Sequence, residues 1–310
     1  MKLYLNMKKK SFLVFLISFL FLIDCYGYSK INSDSLNKKK LFWITSSECL
    51  LVGTSLIGLD RIWHSKYPKT RFHTFNDSKD WLQMYKVGHG VTSYYISYIG
   101  YELFNDCNLK KNQSILIGSA TGLAYLTSIE IMDGFYDQWG FSYGDMTANI
   151  LGVGLFSLQQ YFWDQQRIKL KYSFHKSEIA KYRPELLGKN IYEQLLKDYN
   201  GQTYWLSANI HSFLKKDSKF PSWINLALGY GADGMIGGSN NDYSLCNGDP
   251  DCINLTRKRQ FYISMDADLT KVKWKSKFMK ALTTSFGFIK IPFPALEINA
   301  NDSKFHWFYF

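Results

Sequence analysis

Two hydrophobic patterns divide the chain, and the switch between them limits the folds open to it. Four apolar runs of helical length, residues 41–59, 84–104, 114–132 and 145–163, fill the first half. After Trp163 the pattern changes to period two, beginning with RIKLKYSFH at 167–175. Strand side chains alternate between two faces, whereas helical faces recur about every 3.6 residues, so the two kinds of segment are not interchangeable. The expectation is an α+β chain. A membrane-like four-helix bundle covers residues 41–165, and a mostly antiparallel β region covers 166–310, with helical inserts near 176–197 and 274–287.

Within the β region YWLSANIHSFL, QFYISMDADLTKV, PALEINA and KFHWFYF alternate like half-buried strands. PSWINLALGYGADGM reads either way, and NNDYSLCNGDPDCINLTRKR reads as a loop. The terminal aromatic alternation resembles the last strand of an outer-membrane barrel. Bacterial barrels begin at about eight strands, so five or six short ones favour an open sheet.

The helical segments scatter Gly, Ser, Ala and Thr among large apolar residues, including one G-x-x-x-G at Gly118 and Gly122. Small residues let helices approach closely, as in membrane bundles. Length and polarity leave both a spanning and an interfacial placement open.

The N-terminus reads as a targeting signal. MKKK at 7–10 is a basic n-region, SFLVFLISFLFLI at 11–23 an apolar h-region, and DCYGYS follows. Residues 1–27 are expected to be a signal peptide and 28–40 a polar linker. Cleavage after Gly27 competes with lipidation of Cys25, before which Asp24 is a poor lipobox residue. Of the other four cysteines, Cys246 and Cys252 bracket a turn-rich loop. A small disulfide ring suits an oxidising compartment, and two thiols in a loop are the alternative.

Aromatic residues make up 17% of the chain, as suits rings at a membrane–water boundary. The net charge is +11, and residues 1–27 hold four lysines and one aspartate. Without them 33 basic and 25 acidic residues remain, or +8. These charges are dispersed, with no arm for nucleic acid, whereas anionic lipid headgroups account for the sign. Membrane lipids are the expected partner, no cofactor is expected, and no Cys/His spacing indicates a metal.

The chemistry-bearing residues fall on the helices. Lys86 and His89 are three apart; Glu130, Asp133 and Asp137 share a face if their helix runs through Gly134; Asp145 and Asn149 are four apart. Ionisable groups against apolar helices normally face inward and pair with one another. His89, Glu130 and Asp145 are therefore expected to meet, with Lys86 and Asn149 at the rim. Ser142 or Asp145 is a candidate cap for the fourth helix. After the loop GFSYG, Asp145 is free to face solvent, unlike Glu130 within its helical register.

A lysine and histidine three apart, E-x-x-D, then GFS-x-x-D-x-x-x-N-x-x-G resembles the pattern of YfiM-like predicted periplasmic lipoproteins, a family of unknown function. It is more distantly similar to VanZ-like membrane proteins. The matching residues are Lys86, His89, Glu130, Asp133, Gly140 to Ser142, Asp145, Asn149 and Gly152. DWLQMYKVGH, KDYNGQTYWLSAN and PSWINLALGYGADGM resemble longer members from Bacteroidetes-type bacteria. Tyr85 stands where the family pattern has an aspartate before the lysine, leaving Lys86 without that acidic neighbour.

Three function classes follow. The first is an exported, membrane-associated envelope protein, periplasm-facing and in the outer rather than the inner membrane, whose polar cluster fixes packing or binds a lipid headgroup. The second is a lipid- or glycan-modifying enzyme with His89 as base, oriented by Glu130 or Asp145. The third is a metal-dependent hydrolase with His89 and carboxylates as ligands. The expectation favours the non-enzymatic class, since the lipid-phosphatase, H-E-x-x-H and phosphate-loop patterns are absent.

Overall fold

The computed structural model describes residues 36–65, 67–215, 217–246, 248–299 and 302–310. The expected signal peptide and Cys25 lie outside them. The chain divides into two compact units, one of residues 36–76 and 92–164, the other of residues 77–91 and 165–310.

The first unit is helical. Helix α1 (Lys38–Leu59) starts within the expected linker, where the Asn37 side chain accepts from the Lys40 amide at 2.9 Å. A π-helical turn, Asp60–His64, continues it. Helix α2 (Met84–Asn105) runs unbroken into this unit, and α3 (Lys111–Asp133) and α4 (Tyr143–Trp163) complete it. These are the four expected helices, extended by a few residues.

Helix α3 meets α2 through its small residues. A Cβ on Gly118 would lie 2.5 Å from the Ser97 carbonyl oxygen and 2.6 Å from the Tyr101 amide nitrogen. Only glycine permits that approach. By length and composition Lys38–His64 and Lys111–Asp133 are able to cross a membrane, and half of the apolar window in the second is buried by protein.

Helix α3 stops at Asp133, with Gly134 as its cap. Asp137 therefore leaves the face shared by Glu130 and Asp133: the condition for a common face, a helix running through Gly134, is not met because the chain turns there.

The second unit is built on a six-stranded sheet: β1 (Ile168–Phe174), β2 (Gln202–Asn209), β3 (Ile224–Asp233), β4 (Lys258–Ala267), β5 (Phe293–Asn299) and β6 (Ser303–Tyr309). The spatial order equals the chain order, and every pair is antiparallel. PSWINLALGYGADGM resolves as a strand. Gly229 sits in it because a Cβ there would meet the Trp205 ring at 2.7 Å.

Short helices lie between the strands: α5 (Pro184–Leu187), α6 (Ile191–Lys197), α7 (Pro250–Ile253) and α8 (Lys277–Ser285). Cys246 and Cys252 form a disulfide with Cα atoms 5.5 Å apart. It packs with Ile179, Leu187 and Ile236, and Trp81 lies against this cluster.

The two faces of the sheet have opposite character. Leu170, Leu206, Leu228, Ile263, Leu296 and Phe305 stand in register across all six strands. Five of the six are exposed, and Leu170 is partly so. The opposite face is buried and mixed: Trp205, Ala227, Tyr262, Ala295 and Tyr309 form an apolar cluster on it, beside a network of polar and charged groups. Lys171 pairs with Asp266 at 2.5 Å and Lys169 with Asp268 at 3.0 Å. Ser207 donates to Asp266 at 2.7 Å, Asn225 to Ser207 at 2.8 Å, and Asn209 to Asn225 at 2.7 Å. Buried charges survive only when paired and hydrogen-bonded, and these are.

Candidate metal centre

The segment between α3 and α4 is clamped by the loop at 67–76. The Thr70 amide donates to the Phe135 carbonyl at 2.9 Å, His73 to Gly134 at 2.9 Å, and Phe75 to Phe141 at 3.1 Å. The reciprocal bond runs from the Phe141 amide to the His73 carbonyl at 3.0 Å. These bonds hold the end of α3 and the start of α4 in a fixed relation, and with them Glu130 and Asp145.

Ser142 caps α4. Its side-chain oxygen accepts from the Asp145 amide at 3.1 Å. In a capping box the third residue of the helix would reach back to the cap's own amide. Here Glu130 takes that place: its Oε2 accepts from the Ser142 amide at 3.1 Å. One serine thus ties the two acidic residues to one helix terminus. Glu130 and Asp145 are 1% and 5% exposed, and Asn149, one turn further along α4, is fully buried. Asp145 is therefore not solvent-facing, although the sequence leaves it free to be, because the clamp packs the GFSYG loop against its neighbours.

Helix α2 brings the third donor. It carries His89 one turn before Ser93. A ring nitrogen of half-buried His89 and one carboxylate oxygen each of Glu130 and Asp145 all lie within 4.8 Å of one another. Three donors around one zinc ion at about 2.1 Å stand roughly 3.4–3.6 Å apart, so a triplet at the 4.8 Å limit closes on a cation with shifts of up to about 0.7 Å per donor. One imidazole and two carboxylates suit a divalent ion that accepts nitrogen and oxygen ligands.

Two expected members stand elsewhere. Lys86 pairs with Asp77 at 2.6 Å. Asp77 supplies the carboxylate that Tyr85 does not, from a loop nine residues upstream. Asp133 pairs with His64 Nε2 at 2.7 Å. His64 is buried and stacks on Tyr136, with ring centroids 4.3 Å apart. Tyr136 donates to Asp60 at 2.6 Å. Burial opposes a charge on His64, but hydrogen bonds and charges from Asp133 and Asp60 outweigh it and raise its pKa above the usual 6.5. Burial, reinforced by Asp60, pushes the Tyr136 hydroxyl up. His64 and Asp77 were missed because each meets its partner through a loop, where no periodicity points to it.

Residues 74–161 match the model of a family described as predicted periplasmic lipoprotein (DUF2279). The matched stretch is under a third of the chain and contains Asp77, Lys86, His89, Glu130, Asp133, Asp145 and Asn149. It supports an exported, periplasm-facing envelope protein, as expected. No curated protein and no solved structure matches the chain.

Proposed function

We propose that this is an exported envelope protein whose helices hold a divalent cation between His89, Glu130 and Asp145, and that the bound ion serves hydrolysis of an envelope lipid or glycan. The observation that carries the reading is the convergence of three donor atoms from three helices within 4.8 Å, two of them on buried carboxylates. Two buried like charges at that distance repel, and a divalent cation between them removes the cost. Three protein ligands leave room for water, which an ion such as zinc activates toward attack. This favours the metal-dependent class over the packing role ranked first from sequence. The YfiM-like and VanZ-like resemblance belongs to the same reading, since its motif residues include all three donors.

The test is a titration of the chelator-stripped, detergent-solubilised protein with Zn²⁺ and Mn²⁺, followed by calorimetry and by elemental analysis after desalting. One ion bound per chain is expected, lost in His89→Ala and in Asp145→Asn while circular dichroism is kept. Binding that survives His89→Ala, or no binding at all, overturns the reading.

A further inference from the structure

The six-stranded sheet exposes an apolar face that a sheet bathed in water would keep polar, and it encloses charged pairs on the other. An antiparallel sheet with one wet face turns polar residues outward and apolar residues inward. Here lysines, aspartates, asparagines and serines are sealed on the buried face beside the Trp205–Tyr262–Tyr309 cluster, and the register row from Leu170 to Phe305 is turned out. Neighbouring rows repeat the pattern: Leu226 stands opposite Met265, and Tyr230, Phe261 and Ile298 follow one another across three strands. Trp307 and Phe308 on β6 are 80% and 79% exposed. Contiguous apolar surface of this extent is rare on a water-soluble monomer.

We propose that this face is seated in the hydrocarbon of a lipid leaflet. Apolar side chains outward and paired polar side chains inward are the arrangement of strands whose outer solvent is lipid.

The border of the sheet fits the same solvent. Where β2, β3 and β4 meet their loops at one end, exposed Phe213, Trp223 and Trp274 stand beside exposed Lys215, Lys219, Lys273 and Lys275. Aromatic rings with flanking cations mark the headgroup level, and the cations favour anionic lipid. Helix α8 adds an exposed stripe at Phe278 and Leu282, continued by Phe286, with exposed Lys280 on the same helix. That is the composition of a helix lying in the interface.

The size of the band decides between seating and spanning. From Leu226 to Tyr230 is about 13 Å at roughly 3.3 Å per residue, against an apolar belt of about 25 Å in spanning barrels. Six strands also fall below the smallest such barrel. The band matches one leaflet. This inference stands apart from the cation site, since every residue it uses belongs to the sheet unit.

Single cysteines report the solvent of this face. With Cys25, Cys49 and Cys107 replaced by alanine, Leu228→Cys and Ile263→Cys carry a fluorescent label in the outward row. Tyr192→Cys on α6, 78% exposed, is the control. The labelled full chain is reconstituted in vesicles of phosphatidylethanolamine and phosphatidylglycerol, some with doxyl-labelled acyl chains. Labels at 228 and 263 are expected to be quenched by doxyl lipid several-fold more than the label at 192, and to be protected from aqueous iodide. Iodide quenching equal to that at 192 overturns the proposal. Protection from both quenchers also overturns it, in favour of a second copy covering the face. Ile263→Cys carries the test if Leu228→Cys melts early.

Discussion

Glu130 Oε2 accepts the backbone amide of Ser142 at 3.1 Å, so a carboxylate of one helix completes the cap of the next. Ser142 is 2% exposed. Glu130→Ala leaves its amide buried without that acceptor, at a cost of about 1–3 kcal/mol. Glu130→Gln retains an oxygen there and is expected to melt close to wild type in detergent while losing the cation. A wild-type melting temperature for Glu130→Ala would remove the capping role.

Gly118 and Gly154 make a matched pair of opposite sign. A Cβ at Gly118 meets the Ser97 carbonyl oxygen at 2.5 Å, whereas nothing lies within 4 Å of one at Gly154. Gly118→Ala is expected to cost about 1–3 kcal/mol through overpacking. Gly154→Ala is expected to gain about 0.5–1 kcal/mol, because alanine loses less entropy in a helix. Thermal melts of the two variants in one detergent decide this.

Lys171 faces Asp266, which is fully buried. Lys171→Met removes the cation paired with that carboxylate, leaving buried Lys290 as its nearby positive charge, and is expected to cost up to about 3–5 kcal/mol. Lys171→Met with Asp266→Leu is expected to recover a large part of the loss, as measured by denaturant unfolding. Equal loss in the single and double variants would show that Ser207 and the Ile291 amide, which also bond to Asp266, matter more than the ion pair.

The raised pKa of His64 gives a pH dependence of definite sign. A group whose pKa is higher folded than unfolded contributes stability in full below its unfolded pKa and loses it as pH rises through the folded value. The wild type is therefore expected to lose stability relative to His64→Gln as pH goes from about 6 to 9. Asp133→Asn should shrink that difference. Parallel melting curves across this range would refute the His64–Asp133 coupling.

Much of this fold was legible because long apolar runs and period-two alternation are local signals. The four helices fall within a few residues of their expected bounds, and the strands of the C-terminal half emerge where alternation placed them. PSWINLALGYGADGM stayed ambiguous because Gly229 and Gly231 interrupt its strand character, and their reason is the Trp205 and Tyr262 rings packed over them. His89, Glu130 and Asp145 were readable from helical spacing and the cost of buried charge. The partners of Lys86 and Asp133 were not, since Asp77 lies in a loop and His64 is 69 residues from Asp133. Alternation reveals that a strand has two faces without saying which one turns inward. That is why the outward leucine row and the enclosed charges appear only in three dimensions.

The chain-order meander has a consequence for how an exported protein comes to be assembled. Every strand pairs along its length only with strands adjacent in sequence, so the six-stranded sheet can grow hairpin by hairpin as the polypeptide emerges from a translocation channel. By contrast, the bonds of Tyr172 on β1 to Phe288 and Lys290 wait for a distant segment. Each addition is also self-checking. A slip of one residue would turn Lys171 or Asp266 to the apolar side and bury a leucine among charges, an error large enough to be rejected before the next hairpin forms.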